Sequence, residues 1–218
     1  MALTHLIDLP AAAIVVGGTM LSTLMRAGWS DVVITARAVA NLPSHHFSSR
    51  EMRARLATQV QEIRQDGLLR AHSNHSGDAE FDDVTDALLE QRKLSALVEG
   101  HAMYRARRQA ATEVAVRTLA QAAELAPAFG LVGTLVSLSQ LPSGGLEQGQ
   151  LMGAISMAVL TTLYGLLTAN LVFAPLSRMV ARAAEQEERD RQEVLDWLAA
   201  QVAPAIPVAT HDAGRAAA

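Results

Sequence analysis

The stretch whose reading decides the fold is Glu124–Arg178, ELAPAFGLVGTLVSLSQLPSGGLEQGQLMGAISMAVLTTLYGLLTANLVFAPLSR. It holds two long apolar runs, Leu125–Leu141 and Leu151–Pro175, joined by a short Pro/Ser/Gly/Glu connector. Glu147, in that connector, is the only charge between the two ends. A bilayer core of about 30 Å takes about 20 apolar helical residues, so the two runs read as a transmembrane helical hairpin.

Outward from the hairpin, a third apolar block lies at Leu6–Met25 and is uncharged from Leu9 onward. It reads as a further span. Pro10 fits a first helical turn, where its missing N–H costs little. Gly17, Gly18, Ser22 and the neighbouring threonines offer a small-residue surface to another helix. No basic n-region or small-residue cleavage site precedes the block, so it is expected to be retained. Arg26, Arg37, Arg50, Arg53 and Arg55 follow it, whereas residues 1–8 and 142–150 contain neither Lys nor Arg, and Arg178 and Arg182 follow the last run. The positive-inside rule then places the N-terminus and connector outside, and residues 26–120 and the C-terminus in the cytoplasm. The expected architecture is an all-α, multi-pass membrane protein. It has a first transmembrane helix (1–25), a cytoplasmic helical domain (26–120), the transmembrane hairpin (121–178), a cytoplasmic helix (179–203) and a disordered tail (204–218).

The cytoplasmic part is expected to be helical throughout. Asp31–Ala40 reads as a short amphipathic helix, and Ser49 as an N-cap for a helix over Arg50–Gln65 that stops at Asp66-Gly67. From Phe81, the residues Val84, Leu88, Leu94 and Val98 fall on one broad face. Residues 101–124 have no Pro or Gly and feed straight into the second span. After Pro175, Leu176–Val202 mixes Arg and Glu with apolar residues, and the mixture reads as a solvated face with (i, i+4) pairing.

Composition excludes much. The 218 residues contain no cysteine, which rules out disulfides, CxxC redox centres and Cys-based zinc sites. A net charge of −4 gives no reason to expect nucleic acid. His45-His46 and His72/His75 lie in loop-like stretches without helical spacing and read as surface histidines, so no metal or cofactor is expected. No GxSxG, HExxH, P-loop or dinucleotide fingerprint occurs, and an enzyme is not expected.

Within the hairpin, Gly130, Thr134 and Ser137 share one face, with Gly133 beside them. Ala158, Thr161, Thr162, Gly165 and Ala169 form a matching stripe on the third span. Small residues and hydroxyls are the usual glue between membrane helices. Threonines near mid-depth on two facing helices also suit a hydrated ion path through Thr134, Thr161 and Thr162. Spacing alone favours packing and leaves the path open. Neither run contains an ionisable residue, which an ion relay normally needs, so a titrating group would come from a partner subunit. Asp8 is expected to lie too near the membrane edge to serve. Pro127 and Pro175 are expected at one membrane level, the cytoplasmic boundary, where lost backbone hydrogen bonds make hinges.

Ala126–Val136 (APAFGLVGTLV) and Thr161–Pro175 (TTLYG…AN…FAP) resemble hallmark stretches of the MotA/TolQ/ExbB family, and within it of the flagellar-motor stator A-subunit branch. Ile7-Asp-Leu-Pro…Ile14-Val-Val-Gly-Gly-Thr19 is similar to that branch's second membrane helix. Arg64-Gln-Asp-Gly-Leu-Leu69 and Leu97-Val-Glu-Gly100 are similar to its cytoplasmic domain. The resemblance implies a ring of such subunits, embedded in lipid, around a B-type subunit whose membrane Asp accepts a proton or sodium ion. It implies that Pro127 and Pro175 couple ion passage to movement, and that Thr134, Thr161 and Thr162 line the ion path. It makes Arg64 a contact for the rotor switch protein. Two departures stand out. The family's stator subunits have four spans and this sequence shows three, so the first is expected to be lost or the start placed late. Three spans is the arrangement of the ExbB/TolQ energisers, the alternative reading. The acidic positions after Arg64 read His72, Ser73 and His75, which argues against coupling to a standard rotor.

Overall fold

The computed structural model describes residues 8–43, 47–66, 75–141 and 148–205. The connector with Glu147, the histidines at 45, 46 and 72, the Gly67 stop and the tail beyond Ala205 lie outside the described residues, while Pro204 and Ala205, expected in the disordered tail, form part of a 3-10 turn, Ala203–Ala205. Every regular element within the described residues is helical.

Helix α1 runs from Leu9 to Ala27, with a π-helical stretch at Ala13–Gly17. It begins as its sequence dictates, with Pro10 in the first turn and the Asp8 carboxylate accepting from the Ala11 N–H at 3.2 Å. Gly28, at φ +85°, turns the chain into α2, Trp29–Asn41. Helix α3 covers Ser49–Asp66, and its cap is Ser48 rather than Ser49: the Ser48 hydroxyl accepts from the Glu51 N–H at 3.4 Å. Helix α4, Ala79–Gln91, is capped by Asp78, whose carboxylate accepts from the N–H groups of Glu80 and Phe81.

Helix α5, Leu94–Ser139, is 46 residues long, about 70 Å of continuous helix. Pro127 lies inside it without ending it. Helix α6 is equally continuous: Gln148–Leu167, a π-helical stretch Thr168–Phe173, and Ala174–Val202. The π-helical stretch explains how α6 passes Pro175. The Ala174 N–H bonds Ala169 O, one residue further back than α spacing, and this wider turn absorbs the missing proline donor. Leu9–Ala27 and segments of Leu94–Ser139 and Leu151–Ala205 are long and apolar enough to cross a membrane.

The chain divides into two compact units, one comprising Met1–His45 with Gln109–Ala184 and the other His46–Arg108 with Glu185–Ala218. In the hairpin unit, Ala115, Leu119, Ala122 and Ala126 of α5 pack against Ala169, Phe173 and Val180 of α6. Helix α2 joins this core through Ala38 and Val39, and Asp31 pairs with Arg117 at 3.3 Å. In the second unit, Met52, Leu56, Val60 and Ile63 of α3 meet Phe81, Val84 and Leu88 of α4, Leu97 of α5, and Val194, Leu195, Leu198 and Val202 of α6.

One face was mis-phased by sequence reading. Val84 and Leu88 are buried as expected, but Val98 is 51% exposed and Leu97 is buried in its place. Arg92 adopts a left-handed conformation (φ 54°) that ends α4. The helical phase restarts at Leu94, so counting across the break fails.

Candidate functional site

The two apolar runs meet along a seam of small residues. On α5 it comprises Ala122, Ala126, Gly130, Gly133 and Ser137, all buried. On α6 it comprises Thr161, Gly165 and Ala169, all buried. A Cβ placed on Gly165 would lie 2.7 Å from Ala126 O, and one on Gly130 3.0 Å from Thr161 O, so only glycine admits this backbone approach. The Ser137 hydroxyl donates to Ala154 O across the seam at 2.7 Å. Helix α1 packs against the same pair of helices. Its Ala11, Val15, Thr19 and Thr23 are buried at (i, i+4) spacing, and Gly18 lies against the Phe129 ring. Gly17 faces open space, so only one glycine of that pair serves close packing.

The three threonines do not share one surface. Thr161 is fully buried, with its side chain against Gly133. Thr134 and Thr162 sit at the edge of the seam and line an open groove with Leu138, Ile155, Ala158, Val159, Leu163 and Leu166. The hydroxyls of Thr161 and Thr162 both donate to Ala158 O, at 2.9 and 3.2 Å, and Thr134 donates to Leu131 O at 2.6 Å. Thr134 therefore parts from Gly130 and Ser137, which belong to the seam. Ala158 parts from Gly165 and Ala169 in the same way. Residues four apart diverge by about 40° and residues three apart by about 60°, so Thr134 sits on the flank of the row through Gly130 and Ser137.

The register also separates the two prolines. Pro127 is level with Gly165, since a Gly165 Cβ would be 3.2 Å from the Pro127 Cα. The Ser177 hydroxyl meets Val116 O at 3.3 Å, so Pro175 lies beside that lower turn. Ten residues of helix, about 15 Å, stand between Gly165 and Pro175. The expectation of one shared level fails, because seam contacts rather than the ends of the apolar runs set the register. The Asp8 N–H bonds the Tyr164 hydroxyl at 3.0 Å, which ties the start of α1 to α6.

In the second unit, Arg64 lies at the exposed end of α3. It bonds Gln201 at 3.2 Å in a groove it shares with Val60, Gln61 and Trp197. His75 is exposed, 3.5 Å from Asp82. Among the described residues no group of His, Asp or Glu is arranged to hold a metal ion.

Sequence reading missed a buried ion cluster in this unit. Glu80 is 3% exposed; its Oε1 lies 2.6 Å from His101 Nδ1, and its Oε2 pairs with Arg108 and, at 2.8 Å, with Arg191. Arg108 also reaches Glu188 at 2.9 Å, and Arg191 reaches Asp78 at 3.0 Å and Glu187 at 2.9 Å. His101 Nε2 faces Glu188 Oε1 at 3.5 Å, and Arg105 Nε approaches the same oxygen at 3.6 Å. Burial pushes the Glu80 carboxyl up, but hydrogen bonds from His101 and Arg108 and the charges of Arg108 and Arg191 outweigh it and hold the group below its usual range. Burial opposes the charge on Arg191 as well, and Asp78 and Glu187 overcome it and raise its pKa. The Arg/Glu mixture after Pro175 is thus only partly a solvated face. Arg189–Glu185 is such an exposed pair, whereas Glu188 and Arg191 turn inward.

Three apolar helices, a small-residue hairpin and a separate helical unit on the same long helices define a class. The sequence pattern of the MotA/TolQ/ExbB proton channel family matches residues 62–193, and the chain belongs to that family. With its three apolar helices it is a multi-pass inner-membrane protein. Among relatives, it is 28% identical to "Motility protein A" of Cereibacter sphaeroides over 196 residues, covering 88% of this chain and 76% of that one. It is 35% identical to "Chemotaxis protein PomA" of Vibrio alginolyticus over 77 residues, 35% of this chain and 30% of that one. Its fold is like that of a chain in the flagellar MotAB stator complex of Bacillus subtilis, with TM-score 0.73, 19% identity and coverage of 93% and 81%. The same holds for C. jejuni MotAB, with TM-score 0.81, 17% identity and coverage of 92% and 80%.

Proposed function

We propose that the chain is the A-type subunit of an ion-driven stator, which couples inward flow of protons or sodium ions to flagellar rotation. The groove carrying Thr134 and Thr162 is the observation that most supports this reading. The seam beside it is packed shut, whereas the groove is open, has two hydroxyls and contains no acid. An ion path there needs an ionisable group from outside the chain. A B-type subunit supplying a membrane Asp within a ring of these chains meets that need. The relatives named for motility support the same assignment, and nothing favours the ExbB/TolQ-type alternative.

In this reading Thr134 and Thr162 line the path and Thr161 holds the helices together. Pro127 and Pro175 act as two coupling points about 15 Å apart along the hairpin, not as one hinge. The N-terminus and connector face outward, residues 46–108 and the end of α6 lie in the cytoplasm, and Arg64 offers the rotor contact. Co-expression with a B-type subunit in a stator-null strain tests the proposal. Restored swimming is expected, and swimming that stays absent while both subunits reach the membrane would overturn it. Speed against external sodium at fixed pH then separates the ions.

A further inference from the structure

The ion cluster around Glu80 is costly for a device that merely holds a fold together. Removing charges from water carries a penalty of several kcal/mol per ion, and well-packed apolar residues often stabilise such a site more. What directional ion pairs add is a fixed register. Glu80 and Asp78 belong to the start of α4, His101 and Arg108 to α5, and Glu187, Glu188 and Arg191 to α6. Glu80 Oε1 takes His101 and, at 3.5 Å, Arg108, its Oε2 takes Arg108 and Arg191, and both arginines continue to a second carboxylate. The apolar contacts nearby leave no slack: a Cβ on Gly100, next to His101, would fall 2.7 Å from Val84 Cγ1.

We propose that Glu80 is a positioning residue that locks α4 in register on α5 and α6. Those two helices also carry Pro127 and Pro175. A shift of either helix then carries the whole second unit along instead of being lost as sliding between helices. The consequence for torque rests on the stator reading; the lock itself does not.

The test uses the full-length chain in lipid nanodiscs and in cells with a B-type subunit. The chain has no cysteine, so a Val84→Cys/Gly100→Cys pair reports α4–α5 register cleanly. The two Cβ positions are 3.6 Å apart, within the disulfide range of about 3.5–4.5 Å. The variant Glu80→Met/Arg108→Met/Glu188→Met/Arg191→Met removes two charges of each sign. Its melting temperature is expected to equal or exceed that of the parent, while the disulfide forms about tenfold more slowly because apolar packing does not fix register. In cells, ion current is expected to persist and swimming to be lost. A gentler variant, Arg108→Lys, keeps the charge but loses the fork. It is expected to fold, cross-link more slowly and swim more slowly. Cross-linking at the parent rate in both variants overturns the lock, whatever the swimming result. Slowed cross-linking with normal swimming and current overturns its role in torque. If the parent chain itself restores no swimming, the stator reading fails and the cross-linking rates still decide the lock.

Discussion

At Gly165 a single methyl group would meet a backbone carbonyl 2.7 Å away, and backbone cannot step aside as a flexible side chain can. Gly165→Ala should therefore cost about 1–3 kcal/mol in hairpin stability, the range for overpacking a tight contact. Gly17→Ala, in open space on α1, should cost nothing. Thermal unfolding in detergent compares the two, and equal effects would contradict the seam. The threonines differ in the same way. Thr162→Val should lower ion current without lowering the melting temperature, because Thr162 lines the groove. Thr161→Val should act on stability, because Thr161 is fully buried against Gly133. An unchanged current in the Thr162 variant would remove it from the path. The spacing of glycines and threonines made the seam legible in the sequence. Spacing did not separate Thr161 from Thr162, since neighbouring residues both fit a broad stripe and only the contacts of α1 and α5 tell its two sides apart.

At the scale of the helix, periodicity identified α5 and α6 as long elements entering and leaving the hairpin, because few breakers interrupt them. It failed where the chain broke phase without a proline or glycine. Arg92 in the left-handed region is such a place, and Val98 was assigned to the core in place of Leu97. Register between helices was illegible for a related reason: it depends on which small residues touch, and the ends of the apolar runs misled. The separated prolines have different local settings. Pro127 interrupts α-helical bonding within α5, whereas Pro175 follows a π-helical stretch that already accommodates it. Pro127→Ala should restore one helical hydrogen bond and stiffen α5. Pro175→Ala should let Thr168–Phe173 relax toward α geometry and rotate the helix beyond it. Both variants should lose swimming while still co-purifying with the B-type subunit. Normal swimming in either one would exclude that proline from coupling. The Asp78 cap is a stability matter instead. Asp78→Ala should cost about 1 kcal/mol for the lost cap, and more through the lost Arg191 partner, in the unfolding of the full chain.

For the molecule as a whole, charge is distributed in two ways that the sequence showed unequally. The bias of arginines between flanks was plain. The buried cluster was not, because Glu and Arg at helical spacing usually mean a wet surface. The overlooked signal was phase, since Glu188 and Arg191 fall in line with the buried Leu195 and Leu198. That cluster contributes to the acid limit of stability. The Glu80 carboxyl is held below its ordinary value of 4.5, so its contribution is fully present above that pH and is lost as pH falls through the lower, folded-state value. Melting followed by circular dichroism from pH 7 downward should stay flat to about pH 5 and fall below the ordinary carboxylate range, with a weaker fall in Glu80→Gln. An equal acid limb in both proteins would assign the effect to other carboxylates. The arginine bias makes a separate, topological claim. Because the chain lacks cysteine, one introduced thiol reads one position without background. Ser139→Cys, at the connector end of α5, should react with a membrane-impermeant maleimide added to intact spheroplasts. Arg105→Cys, on the exposed surface of the second unit, should react only after the membrane is opened. The reverse pattern would invert the topology and turn Arg64 away from any cytoplasmic rotor.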